Sequence, residues 1–128
     1  VHDAARPCVR PADIDRLVDT CLNDTDGGLL GMPVSDTMKR VSPAGGVTAT
    51  VDREGLWHAL TPQMFRVGQL RTALQQGIRA GIPLTDEASA MEAAGFTPRM
   101  VEGQRDNIKI TVASDLALAA FYLENQAP

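Results

Sequence analysis

Aromatic residues are scarce in this chain, with one Trp, one Tyr and three Phe among 128 residues. Its core therefore has to be built from Ala, Leu, Val, Ile and Met. Cysteine is scarcer still. Cys8 and Cys21 stand apart, with no C-x-x-C spacing and no neighbouring His, which argues against a zinc site. They read as two reduced thiols of a cytoplasmic protein. No apolar run approaches the ~20 residues of a membrane span and no signal-peptide pattern is present, so no membrane is expected. Basic residues do not prevail either: 12 Lys and Arg face 16 Asp and Glu, a net charge of -4. That balance provides no broad cationic field for nucleic acid, although a local basic cluster is compatible with it.

The catalytic signatures of hydrolases and P-loop enzymes are missing too. His2 and His58 lie in no G-x-S-x-G or reactive-cysteine context. His58, between Trp57 and Ala59 in an apolar run, reads as a hydrogen-bonded core histidine. The string G-G-L-L-G lacks the Lys-Ser/Thr of a phosphate loop and any helix start after it.

What is present is an ordinary globular composition, 44% hydrophobic and 22% charged, in a length that suits one domain. Pro11 to Asp24 reads as a helix, its stripe formed by Ile14, Leu17, Val18, Cys21 and Leu22. Gly27 to Val34 follows as a buried strand closed by Pro33. With V-H-D-A-A-R-P (Val1–Pro7) as the end of a preceding strand, the order predicts a βαβ unit on a mostly parallel sheet. Leu56 to Gln63 predicts another strand, stopped by Pro62. Phe65 to Ala80 predicts a helix facing the core through Val67, Leu70, Leu74 and Ile78 and ended by Gly81. Asp86 to Ala94 is a short helix ended by Gly95. Arg99–Gly103 and Ile108–Thr111 are short extended pieces. The last helix starts at Ala113 or Ser114 and carries Leu116, Ala119, Ala120 and Leu123. Leu118, Phe121 and Tyr122 widen that stripe until the helix must be deeply packed or part of an interface.

Between these elements lies a segment of different character. D-T-M-K-R-V and V-T-A-T-V, Val47 to Val51, flank the turn residues Pro43, Gly45 and Gly46 and predict a hairpin. It has little apolar area of its own, and an isolated two-stranded hairpin is marginal in water. It has to lean on the parent domain or on a second subunit.

Candidate site residues are scattered along the chain. Arg6 follows Asp3 at a strand end, where α/β sheets bind ligands. Arg53 lies at the base of the hairpin, Lys109 in D-N-I-K-I-T, and Thr61 and Thr85 precede Pro62 and Asp86. Each alone reads as a solvated surface residue. Together they suit a phosphate, whose oxygens take Arg forks and Lys point charges.

Five strings stand in a fixed order: V-H-D-A-A-R-P, D-T-M-K-R, V-D-R-x-G-L-W-x-A-L-T-P-Q, T-D-E-A-S-A and V-E-G-x-x-x-N-I-K-I-T. They resemble the 2-C-methyl-D-erythritol 4-phosphate cytidylyltransferase family of the non-mevalonate isoprenoid pathway. The resemblance covers nearly the whole chain but only the later part of the family's sequence. It implies an α/β, Rossmann-like nucleotidyltransferase domain that forms a homodimer through a protruding β-arm, here residues 36–53. It implies that Asp3, Arg6 and Lys109 act at the reacting phosphates. Arg53 and Thr61, reaching across the dimer, would hold the methylerythritol phosphate with Thr85 and Lys109. Its substrates would be CTP and 2-C-methyl-D-erythritol 4-phosphate, with Mg2+ bound alongside CTP and no metal-ligating residue assigned in this chain.

The implied chemistry accords with the absence of a poised His or Cys. A phosphate monoester oxygen, already anionic near neutral pH (second pKa ~6), attacks the α-phosphorus of CTP and expels pyrophosphate. Alignment and charge neutralisation then dominate catalysis. The family's opening strand and Gly-rich A-A-G-x-G-x-R-M loop, which grip CTP, have no counterpart here. The chain is accordingly expected to be the C-terminal part of one cytidylyltransferase domain (1–128), unstable through an exposed sheet edge and inactive by itself. It stops at Y-L-E-N-Q-A-P, so no fused downstream enzyme is expected. Two other readings remain open: a cytidylyltransferase for another polyol phosphate such as ribitol 5-phosphate, and a non-catalytic dimerisation module.

Overall fold

Everything in the fold is organised around the strand β1 (Gly28–Pro33), whose Leu29 and Leu30 are buried. The computed structural model describes residues 1–126; Ala127 and Pro128, the close of the expected domain, lie outside the described residues. Ahead of β1 runs α1 (Pro11–Cys21), and after it a hairpin of β2 (Met38–Val41) and β3 (Val47–Val51). Then come β4 (Trp57–Met64), α2 (Val67–Arg79), α3 (Glu87–Ala93), β5 (Arg99–Glu102) and α4 (Ala113–Asn125).

The sheet is mixed, in the order β4-β1-β5, with β4 antiparallel and β5 parallel to β1. This corrects the expectation of a mostly parallel sheet. Between β1 and β4 the chain makes only the hairpin excursion, with no crossover helix to return it parallel. Val1–Pro7 forms no strand of its own. Val1 nevertheless donates its nitrogen to the Gln63 carbonyl at 2.6 Å and accepts from the Gln63 N–H at 2.8 Å, an antiparallel exchange on the free edge of β4. The chain then turns, closed by Arg6 N–H donating to the Asp3 carbonyl.

The glycines of G-G-L-L-G have a packing role rather than a phosphate-binding one. A Cβ on Gly28 would collide with the Cys21 sulfur and the Arg99 carbonyl, and one on Gly31 with Met100 and the His58 carbonyl. These close approaches let α1 and both flanking strands seat on β1. Leu17, Cys21, Leu30, Leu60 and Val101 form the core there. The buried face of α1 is narrower than its predicted stripe: Leu17 and Cys21 are buried, whereas Val18 and Leu22 are exposed. The helix also stops at Cys21 rather than Asp24, where the Asp24 N–H turns back to the Cys21 carbonyl.

A second cluster joins α2 to α3 through Ala73, Ala90 and Met91, surrounded by Phe65, Leu70, Leu74, Leu84 and Phe96. The predicted face of α2 is right only at Leu70 and Leu74. Val67 is 82% and Ile78 72% exposed, because Ala73 and Gly77 occupy the contact face. Small residues carry the approach, so the larger apolar ones one turn away are left outside. Gly81 (φ 68°) and Gly95 (φ 93°) end α2 and α3 as expected, in the left-handed conformation that favours glycine.

Two further expectations are corrected, those for Pro62 and His58. Pro62 does not stop β4, which runs on to Met64; it lies in a register shift between Leu29↔Gln63 and Gly31↔Ala59, where its missing N–H is not demanded by the ladder. His58 is exposed on β4, not a core residue. The expected extended piece Ile108–Thr111 joins neither sheet; its Ile110 N–H donates to the Ala5 carbonyl at 2.8 Å. Of the two expectations for α4, deep packing does not hold among the described residues, since Ala119 is buried while Leu116, Phe121 and Leu123 are at least half exposed, and the interface reading stays open. The hairpin β2–β3 forms a separate two-stranded sheet, solvent-exposed along nearly its whole length. The free thiols of Cys8 and Cys21 are buried, which pushes both pKa values up.

Candidate active site

The turn after Val1 brings Asp3 and Arg6 against the middle of β4. Asp3 N–H donates to the Thr61 hydroxyl at 3.0 Å, and the Asp3 carboxylate accepts the Ala5 N–H at 3.0 Å. Its other oxygen lies 3.1 Å from the Lys109 ammonium. The Ala5 N–H bond first, and Lys109 second, hold the Asp3 carboxyl below its ordinary pKa.

Lys109 reaches this point on the loop between β5 and α4, which is pinned by two buried residues. Asp106 accepts from Arg10 Nε at 2.9 Å and Nη2 at 2.6 Å. Asn107 donates its amide to the Thr61 carbonyl at 2.8 Å and accepts Arg6 Nη1 on its own carbonyl at 2.7 Å. Arg6 is thereby held half-buried, and burial lowers its guanidinium pKa despite the opposing pull of Asp3. Its Nε is buried without a protein hydrogen-bond partner.

The fourth wall is the start of α3. Asp86 caps it, accepting the Ser89 N–H at 2.8 Å while Ser89 Oγ accepts from the Asp86 and Thr85 N–H groups. Gln63, 1% exposed, locks this cap to β4: its amide donates to Asp86 at 2.9 Å and its carbonyl accepts the Ala88 N–H at 2.9 Å.

Asp3, Arg6, Thr61, Thr85 and Lys109 consequently line one cavity of about 450 Å3. Five of the six residues singled out in sequence meet there. Arg53 does not. It sits at the base of the hairpin, its guanidinium on the Ser35 carbonyl, and is absent from that lining. Arg6 and Lys109 also border a neighbouring cavity of about 710 Å3 with His58, Asn107 and Asp115. Gln63 and Asn107 were not found in sequence as site residues; the one available signal is a buried amide inside or beside an apolar strand, which periodicity does not rank.

The donor set does not fit a protein-held Mg2+. Among the described residues no three His, Cys, Asp or Glu side chains cluster, and both Asp3 oxygens are already engaged. The cleft offers an anion the cations of Arg6 and Lys109 and the hydroxyl residues Thr61 and Thr85, set among the carboxylates of Asp3, Asp86 and Glu87, with Asp3 engaged by Lys109.

Fold and cleft together are those of part of a Rossmann-like nucleotidyltransferase domain. The solved 2-C-methyl-D-erythritol 4-phosphate cytidylyltransferases of Francisella tularensis and Thermus thermophilus match at TM-scores of 0.83 and 0.84. They are 38% and 31% identical, with 95% and 96% of this chain and 57% and 60% of theirs covered. The model of the 2-C-methyl-D-erythritol 4-phosphate cytidylyltransferase family matches residues 1–125, and the chain belongs to that family. Proteins of that name from Aeromonas hydrophila and Vibrio parahaemolyticus are 60% and 56% identical over 126 residues, covering 98% of this chain. The chain spans about half the length of the curated relatives it matches, 51% and 54% in these two.

Proposed function

We propose that the protein to which this chain belongs transfers a cytidylyl group from CTP to 2-C-methyl-D-erythritol 4-phosphate, releasing pyrophosphate. The observation that carries this reading is the meeting of Asp3, Arg6, Thr61, Thr85 and Lys109 around one cavity from positions spread over most of the sequence. In this reading the 4-phosphate of the polyol enters the cavity as its own nucleophile. Lys109 and Arg6 neutralise charge that builds on the phosphates during displacement, and Asp3 fixes Lys109 without titrating itself. The hydroxyls of Thr61 and Thr85 orient the incoming phosphate. No general base is required, because the attacking oxygen is already ionised.

Arg53 serves the partner's cleft, and the exposed hairpin is the dimerisation arm. What supports this is that the hairpin makes its own two-stranded sheet with its faces open to solvent, and that Arg53 stands at its base. Mg2+ belongs with the CTP phosphates and not to a protein cage. The test is pyrophosphate release by the full-length protein with CTP, in the presence and absence of the methylerythritol phosphate. Release that depends on both substrates supports the reading, and release indifferent to the polyol phosphate contradicts it.

A further inference from the structure

His2 enters no role in the reaction above, yet it holds a defined place in the cleft. Its Nε2 lies 2.9 Å from the Arg6 carbonyl, and its Nδ1 lies 2.9 Å from Thr61 Oγ1. A carbonyl only accepts, so Nε2 must carry a proton. In the neutral ring Nδ1 is then an acceptor, and the Thr61 hydroxyl must be its donor. Thr61 Oγ1 meanwhile accepts the Asp3 N–H at 3.0 Å. The single hydroxyl proton of Thr61 is therefore committed to His2, and the open side of its oxygen presents a lone pair to the cavity.

We infer that His2 is a positioning residue that controls the direction of the Thr61 hydroxyl, competing with the phosphate monoester for its proton. Protonation of His2 at Nδ1 reverses that bond: the imidazolium donates to Thr61 Oγ1, and the hydroxyl proton turns toward the bound phosphate. Imidazole is the side chain whose charge changes in the physiological pH range. The charged groups around the cavity that share its field are Asp3, Arg6 and Lys109 and the Asp86 and Glu87 carboxylates at the start of α3. The inference rests on the proposed role of this cavity in holding a phosphate monoester, but the bond direction itself does not.

Two measurements on the full-length protein separate the two. The first is the 15N spectrum of the His2 ring. The expected result is the Nε2–H tautomer in the neutral wild type, with that preference weakened in Thr61→Val. A neutral ring protonated at Nδ1 would overturn the inference whatever the enzyme's substrate.

The second is KM for 2-C-methyl-D-erythritol 4-phosphate in wild type, His2→Phe and Thr61→Val between about pH 6 and about pH 8. Taking each variant as a ratio to wild type cancels the titration of the substrate's own phosphate. His2→Phe frees the Thr61 proton at every pH, so its KM should fall below wild type by about fivefold at the alkaline end, the worth of one net hydrogen bond. The two should converge at the acid end, with kcat little changed. In a Thr61→Val background the His2 substitution should have no pH-dependent effect. A His2→Phe to wild-type ratio that is flat across the range, with the tautomer as expected, would overturn the competition while leaving the cavity's assignment intact.

Discussion

The Lys109 ammonium lies 3.1 Å from the Asp3 carboxylate across 106 positions of sequence, and this pair joins the turn after Val1 to the loop before α4. Both side chains are open to solvent on one side, so the pair contributes little to stability. Its consequence is directional: Asp3 holds a cation at the mouth of the cavity. Asp3→Asn keeps an acceptor for the Ala5 N–H but removes the charge that restrains Lys109. Turnover of the full-length enzyme should fall by about tenfold or more, with the fold unperturbed by circular dichroism. Unchanged kcat would remove Asp3 from the site.

Gln63 makes a different prediction, because it is buried and satisfied on both ends of its amide. Gln63→Leu leaves one Asp86 oxygen without its donor and the Ala88 N–H without its acceptor, a cost of about 2–3 kcal/mol. Thermal unfolding checks the stability. A rise in KM for the polyol phosphate should accompany it, since Thr85 precedes the cap that Gln63 anchors.

Asp115 caps the start of α4, accepting the Thr111 N–H at 3.0 Å, the Thr111 hydroxyl at 3.1 Å and the Val112 N–H at 3.1 Å. The Thr111 and Val112 N–H bonds lower its pKa below the ordinary value of 3.8. A carboxyl whose folded pKa is depressed stabilises the fold above its unfolded pKa and loses that contribution as pH falls through the folded one. Asp115→Ala should therefore lower Tm near neutrality, as lost helix caps do. The gap to wild type should close in acid below the ordinary carboxylate range. A pH-independent gap would mean that charge plays no part in the cap.

The hairpin prediction concerns assembly. Replacing residues 38–51 with a short Gly-containing turn removes a separate two-stranded sheet that is solvent-exposed along nearly its whole length. The monomer should fold, and analytical ultracentrifugation should show loss of the dimer in the full-length protein. A dimer that survives the deletion would place the subunit contact elsewhere.

Much of this molecule was legible from short-range chemistry. Gly81, Gly95 and Pro11 mark helix ends because their backbone preferences act locally, and the hairpin was readable from Pro43, Gly45 and Gly46. The contact face of α2 was not. Val67 and Ile78 satisfy helical periodicity as well as Ala73 and Gly77 do, and only the proximity of α3 selects the small pair. Pro62 misled for a similar reason, because a bulge excused its missing donor. At the site, the ordered strings gathered Asp3, Arg6, Thr61, Thr85 and Lys109, which no periodicity links. Asn107 and Gln63, which fix those residues in place, looked like ordinary amides until their partners were known.

The most direct test of the cavity as the phosphate-handling centre is kcat for cytidylyl transfer by Lys109→Ala in the full-length enzyme, followed as pyrophosphate release. The expected result is a fall of about 100-fold or more with KM for CTP little changed, the loss of one charge aimed at the developing transition state. A kcat near that of the unaltered enzyme would contradict the assignment of Lys109, and with it the cavity it shares with Asp3.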